Sequence, residues 1–591
     1  MKLKLLLLAV LLPLAAAAKV SVTGLLTEGL DSPLALDTGR PRFSWKTVSD
    51  GQGIVQTAYE IEVATTAGRL ESGEADLWRS GRVESARQLW VAYGGKQLPA
   101  GTRACWRVRV TTNRGTTGWS RPQEFGVGLM GETDWRGRWI GLEQLMPGER
   151  RGLRTRLAAR YLRREFRLGQ KPVSRATAYV AGLGLYRLFV NGSEVGAADV
   201  LKPVPSDYRR TVYYNAYDIT PMLDTLTAVG IVLGNGRYFP MRQNKPWKTP
   251  VFGLPACRIN IIVEYADGSK QRLVTDESWR VTAAGPIRAN NEYDGEEYDA
   301  RMELDGWARP GYDDSAWLHA VRAAIPYGTL RGQMTPAIEA RPVGKARSAV
   351  RRGDALVLDF GQNMAGWVAF TPRGREGDTI RLRYAEKINP DGSLYTENLR
   401  DALSADVYVC SGREAGAWQP SFVYHGFRYV EVTGMEDARA ADFTAMLVVD
   451  RMERAGEFSC SDSTLTQLVE AARWGLASNY KGMPVDCPQR NERQPWLGDR
   501  TAGVLGEPWL FGCGRLYAKW VRDICEAQRE DGCIPDVAPA FWNYYTDDVT
   551  WPAALPMACD MLLTRYADTL PVRRAYPAMA RWMRHITATY S

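Results

Sequence analysis

The chain has 591 residues, a formal charge of +8, nine cysteines and three histidines. Its length implies several domains, and a charge so modest for the size, without a basic module interleaved with aromatics, argues against a nucleic-acid partner. With only His319, His425 and His585, no C-x-x-C pair and no P-loop or dinucleotide-binding glycine motif, a His/Cys metal centre, a Ser-His-Asp triad, a disulfide framework and nucleotide chemistry are all disfavoured.

Residues 1–18 read as an export signal. Lys2 and Lys4 precede the apolar run Leu5–Leu14, and Ala16, Ala17 and Ala18 offer small residues for cleavage. The run is too short to span a bilayer, and no later stretch of about 20 apolar residues follows. A periplasmic or extracellular protein with no membrane span is expected.

Residues 19–127 predict a β-sandwich of fibronectin III or immunoglobulin type. Tyr59–Val63 and Trp106–Val110 alternate with period two, and Asn113-Arg-Gly115 marks a turn. Residues 128–345 predict a second sandwich of jelly-roll type, with hairpin signals at Asn191-Gly192 and Asp267-Gly268. The arginine-rich stretch from Arg150 to Arg167 is expected to be a solvated loop leading into a strand. Asp313-Asp314-Ser315 looks like a helix start. A third β block covers 346–450, with strands over 355–360, 379–384 and 428–433. His425, between aromatic neighbours, reads as a packed core histidine.

The hydrophobic period then changes to that of helices. Asp462 or Ser463 can cap a helix with Leu465, Leu468, Val469, Ala472 and Leu476 on one face. Further helices are predicted near 514–530, 553–567 and 574–589, the last with Met579, Trp582, Met583 and Ile586 as its apolar stripe. The expected architecture is three β-sandwich domains followed by an all-α block.

Between the first two of these helices lies Asp486-Cys-Pro-Gln-Arg-Asn-Glu-Arg-Gln-Pro-Trp-Leu-Gly-Asp-Arg500. Pro488 and Pro495 keep it from being helical. By itself it could be a surface loop of weak ion pairs. Partly buried, however, its carboxyls would be pushed up by desolvation, and one could hold a proton near neutral pH. Glycoside hydrolysis needs such a carboxyl to protonate the leaving oxygen. The 20 tryptophans and 27 tyrosines, mostly core residues in any fold, mildly favour a sugar partner.

This loop resembles the signature of glycoside hydrolase family 78, the bacterial α-L-rhamnosidases. The stretches Asp359–Trp367, Asn389–Tyr395, Phe422–Val430, Gly532–Pro539 and Thr550–Pro552 are also similar to that family, in its domain order. The resemblance implies that Glu492 is the general acid of an inverting hydrolase. It implies that Asp486, Arg490 and Asp499 bind rhamnose hydroxyls, with Trp496 and Trp551 as apolar walls and Asp536 and Trp542 on the same cleft. The helical block, 451–591, would be the first half of an (α/α)6 toroid. The family's catalytic base lies in the second half, so the chain reads as truncated and lacking that base. No cofactor is expected, although related enzymes use calcium in the domain at 128–345, where Asp207 is a lone candidate. The partner would be a rhamnose-containing glycan or glycoside. The rival readings are a non-catalytic carbohydrate-binding protein and a lyase on the same helical fold, the latter disfavoured by scarce histidine.

Overall fold

Alternation of apolar and charged residues builds the first unit of the computed structural model, which describes residues 19–151, 155–239, 252–325 and 328–590. The expected export signal, residues 1–18, lies outside the described residues. The chain divides into two compact units, 1–127 and 128–591. In the first, Gln56–Ala64 pairs antiparallel with Arg103–Thr112 in a register that sets Ile61 against Val108 and Val63 against Trp106. These four side chains are buried. The intervening positions carry Glu60–Arg109 and Glu62–Arg107 ion pairs at 2.8 and 2.7 Å, since a strand of period two sends alternate residues to opposite faces. A three-stranded sheet packs opposite, with Phe43 stacked on Trp106 at 4.4 Å. The short helix α1 (Ala67–Glu71) is capped by Thr66.

The second unit opens with sheets of seven and six strands. Both hairpin expectations hold. Val190 pairs with Ser193 across Asn191 and Gly192, which both have the positive φ of a tight two-residue turn. Glu264 pairs with Lys270 around Gly268.

The arginine stretch departs from expectation. Arg160–Arg167 is a strand, as foreseen, but Arg160 and Arg163 are buried rather than solvated. Arg160 pairs with Glu149 at 2.5 Å, and Arg163 with Glu165 at 2.5 Å and with Asp314. That last pairing also explains the missing helix at 313–315: Asp314 faces Arg163, and the segment forms a turn.

Ten strands form one further sheet, centred on Ala355–Phe370, His425–Thr433 and Phe443–Asp450. Strands 199–200, 287–291, 295–299 and 338–345 join it, so this sheet crosses the division expected at 345. His425 is fully buried as foreseen. It stacks on Tyr384 at 4.0 Å and hydrogen-bonds Asp406 and Ser404 at 3.0 and 3.3 Å. Ser404, His425 and Asp406 thus follow the order of a catalytic triad, but all three are sealed in the core.

The helices are α2 (Ser463–Ser478), α3 (Gly498–Thr501), α4 (Gly514–Ala527), α5 (Ala554–Tyr566) and α6 (Thr569–Tyr590). Asp462 caps α2 by accepting from Thr464 N and Leu465 N. The predicted stripe of α2 stays largely uncovered among the described residues, with Leu465 48% and Leu468 63% exposed. On α6, Trp582 is buried while Met583 is exposed. Trp520, Ile524, Leu555, Met561 and Trp582 extend the core of the ten-stranded sheet into α4, α5 and α6. The 479–497 loop is held between that sheet and the helices. No helix among the described residues is long and apolar enough to cross a membrane.

Candidate active site

The loop between α2 and α3 has its own internal clasp. Asp486 N donates to Gln494 O at 2.9 Å, and Gln494 N donates back to Asp486 Oδ1 at 2.6 Å. The Glu492 carbonyl accepts from Tyr293 Oη at 2.8 Å and from Gln494 Nε2 at 2.6 Å. Arg493, at φ +50°, is fully buried. Its guanidinium donates to the carbonyls of Arg490 at 3.1 Å, Tyr424 at 2.7 Å and Glu292. Arg237 Nη2 in turn donates to Arg493 O at 2.5 Å. The β domains therefore fix the loop, because irregular buried backbone must find its hydrogen-bond partners outside itself.

The Glu492 side chain, 11% exposed, is surrounded by donors. Trp496 Nε1 donates to Oε1 at 3.1 Å, and Arg490 Nε donates to Oε2 at 3.0 Å. Arg400 Nη1 stands 2.9 Å from Oε2. Both carboxylate oxygens are thus occupied as acceptors, two of their partners being cations.

The upward shift expected of carboxyls in this loop is found at Asp486 and Asp499, and at Asp536 on the adjoining segment. Burial, aided by the nearby Glu492 charge, pushes Asp486 up to about 6. Asp536 is raised chiefly by burial, and Asp499 by desolvation and the Glu492 charge. Asp499 sits in the first turn of α3 and is exposed. Asp486 Oδ2 and Asp536 Oδ1 are buried without a hydrogen-bond partner. A buried acceptor without a hydrogen bond is costly; Arg490 Nη2 approaches Asp486 Oδ2 only to 3.6 Å, and a hydroxyl-rich ligand would supply the missing hydrogen bonds.

Asp486 gives a stability prediction with a definite sign. Its folded pKa lies above the ordinary aspartate value of about 3.9, so the native state holds the proton more tightly than the unfolded chain. Its contribution is most favourable below about pH 4 and is lost as pH rises through about 6. Asp486→Asn should remove that decline, gaining about 1–3 kcal/mol over wild type between pH 4 and pH 7 in urea unfolding. An unchanged pH slope would contradict the assignment.

An aromatic wall adjoins the carboxylates. Residues 495–497 bond to 536–538: Leu497 N donates to Asp536 O at 2.8 Å, and Ala538 N to Pro495 O at 3.1 Å. This pairing brings Trp496 edge-on to Trp542 at 6.2 Å and against Tyr544 at 5.3 Å. Thr546 Oγ1 donates to Asp536 Oδ2 at 2.8 Å. Trp551 lies so close to Gly498 that a Cβ there would fall 2.4 Å from its ring, which requires glycine at that position.

Asp486, Arg490, Glu492 and Trp496 therefore form one interacting cluster, with Asp536 and Trp542 on the adjoining segment and Asp499 and Trp551 at α3. Sequence reasoning missed Arg400, Arg237, Tyr293 and Tyr544. Only Tyr544 left a signal, in the aromatic run Phe541-Trp542-Asn543-Tyr544-Tyr545. The other three come from distant β segments. The oxygens of Asp486 and Glu492 and the Cys487 sulfur lie within 4.8 Å of one another, a spacing open to a cation, but Arg490 and Arg400 already balance the charge there. Asp207, the calcium candidate, has its carboxylate paired with Arg209 at 3.0 Å.

Four family models match successive parts of the chain. They are a Rha78A-like N-terminal immunoglobulin domain (22–131), an alpha-L-rhamnosidase N-terminal domain (171–342), a bacterial alpha-L-rhamnosidase concanavalin-like domain (350–449) and a bacterial alpha-L-rhamnosidase 6 hairpin glycosidase domain (453–591). An alpha-L-rhamnosidase of Formosa agariphila is 34% identical over 84% of this chain and 55% of its own length. The alpha-L-rhamnosidase structure from Dictyoglumus thermophilum aligns with TM-score 0.89 and 33% identity, over 96% of this chain and 64% of that one. The Streptomyces avermitilis alpha-L-rhamnosidase complexed with L-rhamnose aligns with TM-score 0.91 and 27% identity, over 97% and 71%. The chain thus spans little more than half the length of the first of these relatives.

Proposed function

Because the chain belongs to the bacterial α-L-rhamnosidases of glycoside hydrolase family 78, we propose that it carries the acid half of a site that hydrolyses terminal α-L-rhamnose from glycosides or polysaccharides. The observation that supports this most is the buried Glu492 carboxyl, held by Trp496 and Arg490 beside Asp486, whose Oδ2 lacks a hydrogen bond. Glu492 protonates the glycosidic oxygen as the bond breaks. Arg400, half exposed and reaching in from another domain, is the partner best placed to leave when substrate enters. Asp486, Asp499 and Asp536 accept from ring hydroxyls and Arg490 donates to them, since hydrogen bonds with a charged partner are the stronger ones. Trp496, Trp542 and Trp551 face the apolar side of the sugar, including its methyl group.

A water attacks the anomeric carbon from the opposite side, activated by a second carboxylate about 6.5–9.5 Å from the first. In this reading residues 453–591 belong to an (α/α)6 toroid. Residues 1–18 direct export. The test is proton NMR of the full-length protein acting on an α-L-rhamnoside. β-L-Rhamnose should appear first and then mutarotate. The α-anomer as first product would overturn inversion, and binding without turnover would favour a carbohydrate-binding role.

A further inference from the structure

Cys533 and Asp547 stand in the connection between α4 and α5 and His585 on α6, all outside the carboxylate cluster of the 486–499 loop. Gly532, at φ +102°, lets its segment approach α6 closely: a Cβ there would stand 2.8 Å from Arg581 O and 3.0 Å from His585 Cβ. That approach sets the Cys533 thiol beside the His585 ring. Asp547, at φ +56° in the loop before α5, completes the group. Its Oδ1 lies 2.8 Å from His585 Nε2, and its Oδ2 accepts from Tyr590 Oη at 3.2 Å. One sulfur, one imidazole nitrogen and one carboxylate oxygen fall within 4.8 Å of one another. Cys533 is buried, and the other two are partly covered.

We propose that Cys533, Asp547 and His585 form a binding site for a borderline-soft divalent cation of the zinc class, with a fourth position open to water or to the Tyr590 phenol. Tetrahedral zinc holds sulfur at about 2.3 Å and nitrogen or oxygen at about 2.0–2.2 Å, which puts ligand atoms about 3.3–3.8 Å apart. Side-chain shifts on the order of 1 Å close the present triad to that spacing. The mixed sulfur, nitrogen and oxygen donors exclude calcium and magnesium, which take oxygen. Burial keeps the free thiol protonated, pushed up to about 12. Binding therefore breaks the S–H bond, forms the metal–thiolate bond and releases that proton to solvent. Asp547 follows Thr546, the residue that holds Asp536. A bound ion would tie α6 to the segment carrying the aromatic wall. None of this depends on the proposed hydrolase activity.

Cobalt(II) titration of the reduced, metal-stripped protein tests the proposal. One equivalent should produce a thiolate-to-cobalt charge-transfer band with the intense visible bands of tetrahedral cobalt, and zinc should bleach both. Cys533→Ser should abolish the charge-transfer band, and His585→Gln should weaken binding by at least about a hundredfold. Cys487→Ser should leave the band intact, which separates this triad from the Asp486–Cys487–Glu492 group. No band in the wild type, a band that survives both Cys533→Ser and His585→Gln, or a band lost only in Cys487→Ser would overturn the proposal. Should Cys533→Ser misfold by circular dichroism, His585→Gln, on the partly exposed flank of α6, decides alone.

Discussion

Glu492→Gln should lower kcat on a natural rhamnoside by about 10²–10⁴-fold, the range a positioned general acid contributes. Glutamine has nearly the same shape, and its oxygen can still accept from the Trp496 indole or from Arg490, but its amide has no proton to deliver to a leaving alkoxide. The loss should be much smaller on p-nitrophenyl α-L-rhamnoside, whose leaving group needs little protonation. The contrast between the two substrates, measured on the full-length protein, identifies an acid rather than a general disturbance of the site. Folding should survive, because Arg400 is half exposed and can return to water, while Arg490 retains Asp486 at 3.6 Å. Undiminished turnover of both substrates would end the assignment.

Arg493→Ala should destabilise the protein by about 3–5 kcal/mol in urea unfolding. The side chain is fully buried and gives hydrogen bonds to three backbone carbonyls, those of Arg490, Tyr424 and Glu292. Truncation takes this donor from the Tyr424 and Glu292 carbonyls, while Arg490 O keeps its bond from Glu492 N; each lost partner costs about 1–3 kcal/mol before water enters, and the change empties a volume that its neighbours cannot fill. Lysine should not rescue it, since one ammonium cannot reproduce the planar fork that reaches carbonyls on different segments. The same substitution frees the loop that aims Glu492, so activity should fall further than the unfolded fraction explains. A stability within about 0.5 kcal/mol of wild type would show that the loop holds its shape without this anchor.

Much of the fold was legible because the signals are local. The alternation at Tyr59–Val63, the turn at Asn191-Gly192 and the Asp462 cap each act within a few residues. The loop at 486–500 stood out for the same reason: prolines, carboxylates, guanidiniums and a tryptophan are crowded into one short segment. Where expectation failed, a distant partner intervened. Arg160 and Arg163 are buried because Glu149, Glu165 and Asp314 meet them. The scarcity of histidine and absence of paired cysteines gave no hint of the Cys533–Asp547–His585 group.

Sequence alone determined the order of β blocks and helices and the residue types concentrated in one loop, since hydrophobic period and turn chemistry are properties of neighbouring residues. Only tertiary structure decided how Glu492 is held, because Arg400, Tyr293 and Arg237 reach the loop from β segments far away in the chain. Their approach depends on how sheets and helices pack, and the charge around a buried carboxyl is set by whatever that packing brings within a few ångströms.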